Sequence, residues 1–140
     1  MKLRLSDFLT NDCGIHRTTS LDEIKILYPG NYTVYTPEEY GVYQVHDLNL
    51  CLFIDSKGPT WIEFSVTVDD GFQKSEVLDL QGLLSSNDAD FIAWCHEMGI
   101  AYEKNLLESD EYGDTYLLKF PSGADVLISR NSIQRIAKLY

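Results

Sequence analysis

Apolar residues alternate along Leu48 to Val68, LNLCLFIDSKGPTWIEFSVTV. Leu48, Leu50, Leu52 and Ile54 lead in, and Ile62, Phe64, Val66 and Val68 lead out. A period of two interrupted by Ser56-Lys57-Gly58-Pro59 predicts a β-hairpin with its even-numbered face in a core. Placing Ser56 opposite Thr60 leaves a three-residue loop, Lys57-Gly58-Pro59. It sets Leu52 against Phe64 and Leu50 against Val66, whereas a one-residue slip would turn the core face to water.

Around this hairpin the pattern predicts further elements. Leu3, Leu5, Phe8 and Leu9 fit a brief helix, broken at Asn11-Asp12-Cys13-Gly14. Ser20 with Glu23 has the form of a capping box, and Leu21, Ile24 and Tyr28 follow at helical spacing up to Pro29-Gly30. Tyr32–Thr36 and Val42–His46 read as strands around a Pro37-Glu38-Glu39 turn, completing a four-stranded meander with the hairpin. Residues 69–87 read as a connector with about one helical turn. Asn87 or Asp88 caps a helix carrying Phe91, Trp94, Cys95 and Met98, stopped by Gly99. A strand from Ile100 follows, and then a second hairpin. In it Tyr116, Leu118 and Phe120 alternate inward before Pro121-Ser122-Gly123, with Val126 and Ile128 after it. In the last segment Ile133, Ile136, Ala137 and Tyr140 stand at helical spacing with Arg135 and Lys138, which predicts a basic amphipathic helix.

Helix 20–28 followed by strands and the 48–68 hairpin parallels helix 88–98 followed by strands and the 115–129 hairpin. Such an echo suggests two tandem helix-plus-meander units, at 14–68 and 87–130, although any α+β domain with two helices gives a similar order. Either way the expected fold is a single α+β domain over 1–140, an antiparallel β-meander sheet with helices on one face.

Charge changes what such a domain can meet. Twenty-two acids against eleven bases give a net charge of −11, which repels nucleic-acid phosphates and attracts basic proteins, or serves only solubility. No run of apolar residues is long enough for a membrane span, and the N-terminal stretch lacks the pattern of a secretory signal. Cys13, Cys51 and Cys95 are odd in number and widely spaced. The expectation is three thiols in a cytoplasmic protein.

No motif assigns chemistry. Cys13 and His16 would supply two metal ligands where zinc needs three or four, and Cys95-His96 point to different helix faces. The pairs Glu38-Glu39, Asp69-Asp70, Asp88 with Asp90, and Asp110-Glu111 lack calcium-loop spacing, and the glycines form no phosphate loop. No catalytic residue, metal or cofactor is therefore expected. A small hydrolase or ligand-binding enzyme stays open as an alternative, with His16, His46 or His96, or a Cys13–His46 pair, meeting in a cleft.

Binding has positive support. Between Asp69 and Asp125 stand 13 acids and three bases, and the loop Glu108, Asp110, Glu111, Tyr112, Asp114 sets one aromatic among four carboxylates. An aromatic anchor with steering charge suits a basic protein surface. On the hairpin's odd face Phe53 and Trp61 are expected as diagonal neighbours near Cys51, forming either an interaction patch or a bed for the C-terminal helix.

The segments 14–68 and 87–130, with the helix start Gly14–Ile24 (GIHRTTSLDEI), resemble bacterial immunity and inhibitor proteins. The tandem helix-plus-meander plan is similar to that of β-lactamase inhibitory proteins, whose Gly-x-Thr-x-x-Glu-Val helix start carries fewer residues and whose signal and disulfides have no counterpart here. The resemblance implies a non-enzymatic domain whose acidic face covers a basic toxin. A structural subunit that dimerises through exposed strand edges is the remaining alternative, so monomer and homodimer are both open.

Overall fold

The computed structural model describes residues 3–11, 15–28, 30–34, 41–45, 50–55, 57–65, 78–83 and 85–139. Ten strands and three helices occur among them, in chain order β1 (Leu3–Arg4), α1 (Leu5–Thr10), α2 (Leu21–Leu27), β2 (Asn31–Val34), β3 (Gly41–Val45), β4 (Leu50–Asp55), β5 (Gly58–Ser65), β6 (Leu78–Asp79), α3 (Asp88–Met98), β7 (Glu103–Asp110), β8 (Gly113–Lys119), β9 (Ala124–Ser129) and β10 (Ser132–Leu139). Eight strands form one antiparallel sheet in the order β2-β3-β4-β5-β10-β9-β8-β7, while β1 and β6 make a separate parallel pair.

That order is two meanders, each preceded by a helix, joined through their last strands. At the seam Phe64 stands opposite Ile136, which stands opposite Val126, which stands opposite Leu118. All four are fully buried. They belong to one core with Leu5, Phe8 and Leu9 of α1, Ile24 of α2 and Phe91, Trp94 and Cys95 of α3. The fold is α+β, with the helices packed on one face of a meander sheet. Counted from each helix, β4–β5 corresponds to β9–β10, one strand beyond the 115–129 hairpin of the expected echo.

The helices start and stop on the expected signals. Ser20 Oγ accepts from Glu23 N at 3.2 Å, and Asn87 Oδ1 accepts from Ala89 N at 2.8 Å. Gly99 takes a left-handed φ of 68° where α3 ends, the conformation glycine adopts without penalty. Side chains distant in sequence satisfy the last carbonyls around α1. Ser122 Oγ donates to Leu9 O at 2.6 Å, while the buried Lys138 ammonium donates to Phe8 O and Asn11 O. A cation there also complements the negative end of the helix.

Two expectations are corrected. Residues 132–139 are strand β10, not a helix. Arg130 and Asn131 have φ of 53° and 64°, and Ser129 pairs with Ser132 across them. Two positive φ values in a two-residue loop make a hairpin turn whose twist suits the strands on either side. Helical spacing arose because the register shifts between Ile133 and Arg135. The extra residue, Gln134, lets Ile133 and Ile136 both face the core despite being three apart.

The 48–68 hairpin also closes earlier than expected. Asp55 pairs with Gly58, Phe53 with Trp61, and Leu52 with Ile62 rather than Phe64. The displacement is two residues, so each side chain keeps its face. Asp55 Oδ1 accepts from Lys57 N at 2.8 Å, tightening the turn, and Thr60 Oγ1 donates to Phe53 O at 3.1 Å where the register jumps. Outside the turn, Arg17 clamps it through Asp55 Oδ2 at 2.6 Å and Gly58 O at 2.9 Å. That guanidinium, followed by the Lys57 N–H, holds the Asp55 carboxyl below its usual range. The 12–14 break, Thr36 to Glu39, His46 and most of the 69–87 connector lie outside the described residues.

Candidate functional site

The sequence-expected binding residues separate into two places. Glu108 and Asp110 lie on β7, Glu111 and Tyr112 form the turn, and Asp114 is on β8; all five are exposed. The tip is internally braced. Tyr112 N donates to Asp110 Oδ1 at 2.8 Å, and Ser109 Oγ donates to Asp114 Oδ1 at 2.6 Å. The Tyr112 ring is 68% exposed, with the Arg130 guanidinium 5.4 Å from its centroid. Beside the tip a shallow polar depression of about 290 Å³ is lined by Glu108, Asp110, Thr115, Ser129, Arg130 and Gln134.

Two further residues at this hairpin were not singled out in the sequence. Leu106 is 60% exposed and Leu107 57% exposed. The strand carrying them is last in its sheet. Leu106 stands opposite Tyr116, and Leu107 is the extra residue where the register of β7 on β8 shifts before Glu108. Lys104, its ammonium 4.3 Å from the Tyr116 ring centroid, is the single base among five acids from Glu103 to Asp114. Their signal in the sequence was Leu106-Leu107 in an otherwise polar run.

Phe53 and Trp61 lie in the other meander, on the sheet face opposite the helices. They are direct cross-strand partners rather than diagonal ones. No helical lid comes from the C-terminal segment: β10 lies in the sheet plane beside β5. From there Arg135 places its guanidinium 5.5 Å from the Trp61 centroid and 3.5 Å from Asp125 Oδ1. Trp61 Nε1 donates to Glu63 Oε2 at 2.9 Å. Burial raises the Asp125 carboxyl above its usual range, opposed by Arg135. This patch is half-buried and its charges are largely matched by one another.

Among the described residues, those considered for catalysis are dispersed. Cys95 is fully buried, and burial pushes its thiol up to about 12. It is a core side chain rather than an available nucleophile. Iodoacetamide at pH 8 should leave Cys95 unmodified in the folded protein and alkylate it in denaturant, by peptide mass mapping; rapid labelling of the native form would contradict this burial. His96 is exposed on α3. His16 borders a cleft of about 300 Å³ with Thr10, Asn11, Ile15, Arg17, Ser122 and Lys138, in which no carboxylate lines the wall among the described residues. Cys13 and His46 lie outside the described residues. Among the described residues no cluster of three or more His, Cys, Asp or Glu is arranged to hold a metal ion, and no helix is long and apolar enough to cross a membrane.

Comparison with protein-family models, curated protein sequences and solved structures found no match.

Proposed function

We propose that this chain is a non-enzymatic, cytoplasmic protein-binding domain that captures a basic protein on the β7–β8 hairpin. In this reading it is an immunity or inhibitor protein that covers the basic surface of a toxin. The observation that carries the reading is that Leu106, Leu107 and Tyr112 are exposed together with Glu108, Asp110, Glu111 and Asp114 on one hairpin. Exposed apolar groups supply area to bury, while surrounding carboxylates steer a basic partner and reject acidic ones. The same carboxylates repel nucleic-acid phosphates and anionic lipid surfaces.

Affinity capture from cells of the source organism at low salt should recover a basic protein. The complex should weaken by at least about tenfold on raising ionic strength from about 0.05 to 0.5 M, because exposed charges are then screened within a few ångströms. Tyr112→Ala should weaken it by about 30-fold, the loss typical of a central aromatic anchor. Repeated capture of nothing, or binding indifferent to both salt and Tyr112, would sink the reading.

A further inference from the structure

We infer that the partner is bound by strand addition: an extended basic segment pairs, main chain to main chain, with the outer edge of β7. The inference rests on the protein-binding reading and specifies its geometry. β7 is eight residues long and stands at the end of the sheet, with β8 on one side and no strand on the other among the described residues. An end strand presents alternate N–H and C=O groups outward, which a further strand satisfies. The sheet's other end strand, β2, is four residues long and offers half that edge.

Side chains around the edge select the occupant. Glu103, Glu108 and Asp110 lie along β7, with Glu111 at its end and Lys104 drawn onto the Tyr116 ring. An added strand rich in lysine or arginine would meet these carboxylates across about 5 Å, the spacing of neighbouring strands. Its apolar residues would cover Leu106 and Leu107, both exposed on β7. A second copy of this chain would bring another −11 and the same acidic edge to the junction, so the charge favours a basic chain over self-pairing.

The test uses the whole protein and a ten-residue peptide alternating lysine with valine, followed by NMR with amide hydrogen exchange. Strand addition should slow exchange by at least about tenfold at the outward amides of residues 103–110, equivalent to one added hydrogen bond of roughly 1.4 kcal/mol. It should also give contacts between peptide and β7 backbones. If the acidic side-chain signals shift while β7 exchange is unchanged, the surface collects charge without pairing; strand addition falls and the protein-binding reading stands. If no signal responds, both fall. Exchange already slow in the free protein at dimer mass would assign the edge to a second copy and overturn the inference.

Discussion

Phe91→Ala should lower the unfolding free energy by about 3–5 kcal/mol, read as a shift in the denaturant midpoint at unchanged slope. Phe91 is fully buried, its ring 5.9 Å from Trp94 and 6.4 Å from Phe120. Truncation removes the transfer energy of the ring and leaves a cavity that cannot close. One wall is α3, tied at its start to the β9–β10 turn by Asp88 N donating to Asn131 O at 3.0 Å. The other is the sheet, whose hydrogen bonds resist moving inward. A loss below about 1 kcal/mol would mean that α3 does not pack as described.

Gly58→Ala should cost about 2–4 kcal/mol, combining left-handed backbone strain with a collision. Gly58 has φ of 124°, and a Cβ there would run into the carbonyl oxygen of Arg17. Relief would require the 15–19 segment to leave the hairpin, undoing the Arg17 clamp on Asp55 and Gly58 O. Gly99→Ala is the control. Its φ is also positive, but no atom lies within 4 Å of its Cβ position, so only about 1 kcal/mol should be lost. Equal losses in the two variants, measured by chemical denaturation, would show that close approach at Gly58 has no part in stability.

The two glycines also show where a sequence speaks plainly. Gly99 follows a helical stripe and precedes a strand, and such local punctuation is legible without tertiary information. So were the caps Ser20 and Asn87, and the core-facing alternation of Leu52, Ile62, Phe64, Tyr116 and Leu118. The last strand was not. Its three-residue spacing of Ile133 and Ile136 mimics a helix, and only pairing with β9 reveals the extra residue between them. The hairpin register failed for a related reason: a two-residue turn and a jump at Thr60 leave the faces unchanged, so the hydrophobic pattern alone was indifferent to the choice.

For the candidate site, the acidic loop with Tyr112 was readable because its members are contiguous. Leu106 and Leu107 become informative only once β7 is known to end the sheet. Phe53 and Trp61 were read correctly as facing away from the core. Their surroundings depend on Arg135 and Asp125, brought beside them by the seam that the helical reading concealed.

The seam has a further consequence during synthesis. The first meander ends in β5, whose free edge is closed by β10, and about 66 residues lie between the end of β5 at Ser65 and the start of β10 at Ser132. Until residues 132–139 emerge from the ribosome, β5 remains an unpaired edge with Phe64 lacking its neighbour Ile136. Nascent chains paused before that point carry an aggregation-prone half-sheet. Chaperone occupancy on the translating chain should persist until β10 is out and fall when it docks.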